Sequence, residues 1–131
     1  MKKIVKTENA PRAIGPYNQA VIEPNSGLIF TSGQIALDPK TGNIVGKAAA
    51  EQTEQVMKNL QAILAAAGSS FENVLKATIY LKDLKDFAAV NDIYGSYFKS
   101  DPPARATAEA SRLPKDALIE IDIIAQIDSG R

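Results

Sequence analysis

The sequence predicts an α+β fold in which two helices pack on one face of a mixed β-sheet. Short β-prone runs separated by turn residues fill the first third of the chain. Two later segments have the apolar spacing of amphipathic helices, and the last segments alternate strictly between apolar and polar residues. The predicted element order is therefore two strands, a helix, a strand, a helix and two strands.

The first half of the chain supplies a hairpin and a helix. Strands are predicted over residues 18–23 (NQAVIE) and 28–32 (LIFTS), because the cluster PNSG between them has hairpin-turn chemistry. The turn cluster DPKTGN at 38–43 ends this region. Apolar residues then recur at helical spacing over residues 48–67, and Gly68 follows as a stop signal, which predicts an amphipathic helix.

The second half supplies a strand, a helix and two final strands. Residues 73–81 (NVLKATIYL) are apolar and β-branched over a length too short for a helix, which predicts a largely buried strand. Residues 83–98 place apolar side chains three and four positions apart after Asp83, a suitable N-cap, and predict a second helix. Residues 105–110 and 117–127 alternate and predict the last two strands.

Length and composition indicate one soluble domain over residues 1–131. Fifteen basic residues balance fifteen acidic ones, so no positive field collects phosphate groups, which argues against nucleic-acid binding. No apolar run approaches the ~20 residues that a bilayer requires, and the N-terminus lacks the apolar region of a signal peptide. We therefore expect a cytoplasmic protein that does not enter a membrane.

The chain contains no cysteine and no histidine. This excludes disulfides, thiolate nucleophiles and zinc ribbons, and it removes the usual general base and the commonest metal ligand. No clustered acidic motif suggests a carboxylate metal site, so we expect no metal. Any chemistry must use carboxylates, Arg, Lys, Tyr, Ser, Thr or backbone groups.

Arg105 and Glu120 are the first candidates for chemistry. The alternation of RATAEASR puts Arg105 and Thr107 on one face of a strand, with alanines on the other face. If this strand lies beside the last one, Arg105 and Glu120 could sit close together on the polar face. On spacing alone, an exposed cross-strand ion pair contributing ~0–1 kcal/mol is the favoured interpretation of these two residues.

Further candidates lie elsewhere in the chain. Tyr17 follows the stiff Gly15-Pro16 step, and Gly33 ends a strand where the missing side chain allows close approach. Asn91 lies within a helix although asparagine is a poor helix former. Each has a structural alternative. Tyr17 could be a core or interface tyrosine, Gly33 could allow another backbone to pack closely, and Asn91 could be a solvated helical asparagine.

Two helices can cover only one face of the predicted sheet. The last strand alternates apolar residues such as Ile119 and Ile121 with Glu120 and Asp122. The helices can cover the face of only one of these sets, so another structure has to cover the second face. Self-association would cover both this face and the sheet edge, so we expect an oligomer.

The segments AIGPYNQA, TSGQI, KATIYLKDLKDFAAVNDIYGSYF, PPARAT and SRLPKDALIEIDIIA, in that order, resemble the RidA family, also called YjgF/YER057c/UK114. The resemblance covers essentially the whole chain, and RLPKDALIEI preceded by PARAT is its most specific part. It implies a chorismate-mutase-like α+β fold, a homotrimer with clefts between neighbouring subunits, and an activity without a cofactor.

The resemblance also implies a reaction and its residues. Members of the family hydrolyse reactive 2-imino acids, which pyridoxal-phosphate-dependent dehydratases release, to 2-keto acids and ammonia. Arg105 matches the family's carboxylate-binding arginine and Glu120 its water-binding glutamate. The implied cleft positions are Tyr17, Ser32, Gly33, Phe87, Thr107 and Asn91, the last expected from a neighbouring subunit. Thr107 stands where family members often have cysteine, which excludes regulation through a thiol.

Two other functions remain open from the sequence. The same arginine could hold 2-keto acids or other small carboxylates in a regulatory protein without catalysis. Endoribonuclease or translation-inhibitor activity is the other alternative. Zero net charge, few aromatic residues and the lack of a histidine pair argue against it.

Overall fold

The computed structural model describes residues 1–128, which form a six-stranded mixed sheet with two α-helices. The elements are β1 (Lys3–Val5), β2 (Ala20–Glu23), β3 (Leu28–Thr31), α1 (Ala49–Ala67), β4 (Val74–Leu81), α2 (Phe87–Ser96), β5 (Ala104–Glu109) and β6 (Ile119–Gln126). The strand order is β1-β2-β3-β6-β4-β5. Only β4 and β5 pair in parallel among these strands.

The predicted α+β class, the mixed sheet and the order of elements are confirmed, with two differences in detail. The strand β1 was not predicted, because a three-residue run carries too little alternation to recognise. The second helix begins at Phe87, since Asp83 accepts a bond from the Lys85 N–H and caps a short 3₁₀ turn before it. The predicted domain also includes residues 129–131, which lie outside the described part of the chain.

Both helices pack on the same face of the sheet and form the core with it. On α1, Val56, Leu60 and Ile63 are fully buried, as helical spacing requires of a core-facing stripe. The helix ends at Gly68, whose φ of +80° is the left-handed conformation that favours glycine. None of the helices within residues 1–128 has the length and apolar character to cross a membrane.

The second face of the sheet carries no helix in the described chain. Phe30 pairs with Ile124 on this face, and the Phe30 side chain remains 41% exposed. At one sheet edge, most residues of β5 are exposed as well. An exposed apolar face beside an exposed edge strand is the arrangement that self-association covers.

The register of the sheet separates Arg105 from Glu120. Ala77 of β4 pairs with Arg105 on one side and with buried Ile123 on the other, so Arg105 points to the helical face. Tyr80 pairs with Glu120, which places the Glu120 side chain on the opposite face. The condition on which Arg105 and Glu120 would lie close together, adjacent strands β5 and β6, is therefore not met within one chain.

The physical reason is the connection through α2. Two parallel strands need a long crossover, and a helix supplies it, so β4, α2 and β5 form one βαβ unit. The chain then passes over to the free side of β4, where β6 pairs antiparallel. β5 and β6 are consecutive in sequence, but β4 lies between them in the sheet.

Candidate functional site

The predicted site residues, together with Tyr94, fall into two clusters on opposite faces of the sheet. The arginine cluster consists of Phe87, Asn91, Tyr94, Arg105 and Thr107. The glutamate cluster consists of Tyr17, Ser32, Gly33 and Glu120. Within one described chain, Arg105 does not line the cavity that Glu120 lines.

The arginine cluster orients an exposed guanidinium. Phe87, Asn91 and Tyr94 share one side of α2, because they lie four and three residues apart. The Cζ atom of Arg105 lies 5.3 Å from the ring centroid of Phe87 and 5.2 Å from that of Tyr94, at cation–π distances. Arg105 Nη1 donates a hydrogen bond of 2.6 Å to Asn91 Oδ1. Its other N–H groups leave a fork that suits a carboxylate.

Asn91 therefore stabilises Arg105 of its own chain. The family resemblance implied that Asn91 reaches the site from a neighbouring subunit, but α2 packs over the parallel strand that follows it, which brings Asn91 and Arg105 of one chain together. Among residues 1–128, no carboxylate forms an ion pair with Arg105, so its charge is not neutralised within the described chain.

Two hydroxyl groups beside Arg105 are buried. Within the described residues, Tyr94 Oη and Thr107 Oγ1 have no hydrogen-bond partner. Burial raises the pKa of the Tyr94 phenol, and the nearby positive charge of Arg105 opposes that rise. Tyr94 was not among the predicted site residues, although its position seven residues after Phe87 was a usable signal.

In the glutamate cluster, the Glu120 side chain lies directly over Gly33. A Cβ atom on Gly33 would overlap Glu120 Oε2 and would lie 2.9 Å from Glu120 Cδ. The backbones of Gln34 and Ile121 exchange two hydrogen bonds of 2.8 and 3.1 Å, which hold residue 33 beside residue 120. Only glycine fits at this approach without moving the carboxylate.

Glu120 is half-buried, and no hydrogen bond from residues 1–128 reaches its carboxylate. Burial raises the pKa of Glu120, and the negative charge of Asp122 on the same face raises it further. Asp122 itself has a pKa raised by burial, which the positive charge of Lys76 opposes. A carboxylate in this state is a stronger base than an exposed one.

The loop before β2 closes the glutamate cluster. Tyr17 Oη accepts a bond of 3.3 Å from the Ile14 N–H, and Ser32 Oγ donates a bond of 2.5 Å to the Asn18 carbonyl. These contacts hold the loop against the end of β3. A cavity of about 390 Å³ lies here, and its walls include Tyr17, Ser32, Gly33, Glu120, Ile14, Ile35, Leu37 and Pro114.

The apolar wall residues were not predicted from the sequence. Ile14, Ile35 and Leu37 look like any other apolar positions of a β-rich segment, so only their place around Glu120 marks them. Within residues 1–128, no group of three or more acidic side chains comes together as a metal site. The two clusters together offer an anion-binding fork and a basic carboxylate.

Comparison with known proteins shows the family to which the chain belongs. The family model described as Endoribonuclease L-PSP matches residues 7–127. The chain belongs to this family, the RidA (YjgF) family. A RutC family protein of Pyrococcus horikoshii is 54% identical over 125 residues, which cover 95% of this chain and 98% of that protein.

Two further relatives carry names that describe a reaction or a bound molecule. The 2-iminobutanoate/2-iminopropanoate deaminase of Homo sapiens is 46% identical over 125 residues, which cover 95% of this chain and 90% of that protein. The crystal structure of Escherichia coli TdcF with bound serine is 40% identical and has a TM-score of 0.89, with coverage of 96% of this chain and 99% of that one. Relatives of this chain thus include a named imine deaminase and a protein seen with an amino acid.

Proposed function

We propose that the protein is a hydrolytic deaminase that converts reactive 2-imino acids to 2-keto acids and ammonia. The observation that carries the proposal is Glu120, a half-buried carboxylate with a raised pKa and no hydrogen-bond partner within the described chain. It faces a cavity large enough for a small molecule. The name of the human relative supports the same reaction class.

Arg105 binds the carboxylate of the substrate. Its guanidinium can form two parallel hydrogen bonds to a carboxylate, which an ammonium group cannot reproduce. Asn91 and the rings of Phe87 and Tyr94 limit the rotation of this side chain before substrate arrives. Less rotational freedom is therefore lost on binding.

Glu120 positions and deprotonates the attacking water. The water oxygen forms a bond to the carbon of the protonated C=N group, the π electrons move to nitrogen, and Glu120 takes a proton from the water. Glu120 then gives this proton to the amino group of the resulting carbinolamine. The C–N bond breaks as the hydroxyl oxygen forms the keto C=O bond and loses its proton to solvent, which releases ammonia and leaves the 2-keto acid and the Glu120 carboxylate. An iminium carbon is already electrophilic, so neither a stronger nucleophile nor a cofactor is required.

Each active site of this kind needs residues from two subunits. Arg105 and Glu120 lie on opposite faces of one sheet, so a cleft containing both must join the arginine cluster of one subunit to the glutamate cluster of the next. The exposed edge strand β5 and the exposed apolar face around Phe30 support such an assembly. A closed homotrimer, as the family resemblance implies, repeats this junction three times.

The direct test couples the purified protein to an amino-acid dehydratase and follows the release of 2-keto acid. We expect Arg105→Ala to abolish the acceleration of 2-iminobutanoate hydrolysis and Glu120→Gln to slow it by roughly 10²–10⁴-fold. Arg112→Ala and Glu72→Gln remove the same charges at exposed positions outside both clusters and should keep the wild-type rate. Wild-type rates from both cluster variants would reject the assignment.

Binding of 2-keto acids without catalysis is the second candidate. It is favoured by the oriented, uncompensated Arg105, which suits any small carboxylate, and by the serine seen in the TdcF relative. Tight 2-keto acid binding with no acceleration of imine hydrolysis would select it. RNA cleavage has the description of the family model in its favour, but zero net charge and the lack of histidine argue against it.

A further inference from the structure

We infer that the cavity beside Glu120 holds the substrate side chain, and that it selects 2-imino acids and 2-keto acids with an extended aliphatic side chain. This inference rests on the proposed function for the identity of the reacting group. It adds a substrate class, which follows from what lines the cavity.

The cavity walls beside Glu120 are largely apolar. Ile14, Ile35, Leu37 and Pro114 contribute to them. Ile35 and Leu37 are half-buried, whereas the Ile14 side chain is 71% exposed. A ligand that covers this surface removes apolar area from water on both partners, which favours aliphatic groups.

The two hydroxyl groups at the cavity each make one hydrogen bond within the described chain. Tyr17 Oη accepts from the Ile14 N–H, and Ser32 Oγ donates to the Asn18 carbonyl. Tyr17 can still donate one bond and Ser32 Oγ can still accept, so a polar side chain entering this space would recover only part of its hydration. The carboxylate of Glu120 adds repulsion against an acidic side chain.

Positive charge also lines the cavity. Arg12 and Lys115 contribute to its walls, and both side chains are exposed. Because solvent screens both cations, they repel a basic substrate side chain weakly and attract an acidic one weakly, and the half-buried Glu120 repels the acidic one. A neutral aliphatic side chain is repelled by neither the cations nor Glu120.

The size of the cavity admits more than an ethyl group. Its volume of about 390 Å³ falls within the range of roughly 300–1,000 Å³ found for small-molecule sites. A methyl or ethyl side chain would leave most of the apolar wall in contact with water. Longer chains therefore gain affinity until the wall is covered.

The test measures dissociation constants by calorimetry for 2-oxobutanoate, 2-oxopentanoate and 2-oxohexanoate, each bound to the full-length protein. We expect each added methylene to tighten binding about three- to fourfold. The acidic compound 2-oxopentanedioate, close in length to 2-oxohexanoate, should bind more weakly than it. Equal affinities across the series, or tighter binding of the acidic compound, would overturn the inference.

Two Ile→Ser variants test whether this cavity causes the dependence of affinity on side-chain length. Ile14→Ser should flatten the dependence on chain length, and its exposed position keeps the core intact. Ile127→Ser, the same change at a 37% exposed residue outside the cavity, should leave the dependence unaltered. A flattened dependence in both variants, or in neither, would count against this cavity.

Failure of the inference is distinguishable from failure of the proposed function. Accelerated imine hydrolysis with no dependence of binding on chain length would disprove the preference for extended aliphatic side chains and would still support the deaminase activity. A clear dependence without imine turnover would keep the cavity assignment and favour the 2-keto acid binding protein.

Discussion

The arginine and glutamate clusters hold side chains of opposite charge, and they differ in the burial and the contacts of those side chains. Arg105 is exposed and contacts an amide and two aromatic rings. Glu120 is half-buried and receives no hydrogen bond from residues 1–128. Because a guanidinium stays charged in any protein environment, neighbours can orient it without changing its chemistry. A carboxylate loses basicity with every hydrogen bond it accepts. Burial and close packing can fix the position of a catalytic carboxylate without lowering its pKa.

The largest expected effect tests whether the two clusters come from different subunits. Arg105→Ala and Glu120→Gln subunits, each inactive alone, should regain activity when they assemble together, because each supplies the group that the other lacks. Random mixing in equal amounts should restore roughly a quarter of the wild-type rate in a closed ring with one site at each junction. The measurement is imine hydrolysis after the two variants are unfolded together and refolded.

The matched control mixes Arg105→Ala subunits with subunits that carry both substitutions. No subunit then offers Arg105, so no activity should return. If the first mixture also stays inactive although mixed oligomers form, the two residues do not act across a subunit junction.

The next largest effect tests whether the close approach of Glu120 to Gly33 sets the position of the carboxylate. Gly33→Ala places a Cβ atom where Glu120 Oε2 lies, so the carboxylate has to move by about an ångström or more. A displacement of this size in a reacting group should lower kcat/KM by about 10²-fold. Steady-state imine hydrolysis measures it, and thermal melts establish that the variant is folded.

Gly95→Ala is the control for this glycine. A Cβ atom on Gly95 meets nothing within 4 Å, and the residue lies within α2. The change should preserve the rate and raise the free energy of unfolding by about 0.5–1 kcal/mol, as alanine favours a helix over glycine. A wild-type rate from Gly33→Ala would mean that the position of Glu120 is not critical.

The smallest effect concerns stability. Because burial raises the pKa of Glu120, the folded protein binds this proton more tightly than the unfolded chain does. The free energy of unfolding due to this group is therefore highest below the ordinary glutamate pKa of about 4.3, and it falls as pH rises through the raised value. Glu120→Gln carries no charge and should be more stable than wild type at pH 7 by at most about 1 kcal/mol.

Urea denaturation followed by tyrosine fluorescence measures this difference, as the chain has no tryptophan. The advantage of Glu120→Gln should shrink toward zero near pH 4, and exposed Glu72→Gln should show none at either pH. If Glu120→Gln were less stable than wild type at pH 7, the carboxylate would have a stabilising partner and the comparison of the two clusters would fail.

Much of the local structure could be predicted from the sequence. The alternation in residues 105–110 correctly separated Arg105 from the alanines beside it, since a strand alternates its side chains whatever its neighbours are. The helical spacing after residue 48 likewise predicted α1, and Gly68 its end. The resemblance to the RidA family is confirmed by the match over residues 7–127.

The sequence by itself thus determined which residues share a face of each element and the order in which the elements occur, because short-range sterics and burial set both. Only the tertiary structure decided that β4 separates β5 from β6, and that Arg105 and Glu120 therefore face opposite ways. Strand pairing is a long-range choice that depends on the crossover helix and on how the whole sheet buries its apolar face. The alternation within one strand cannot reveal which strand will lie beside it.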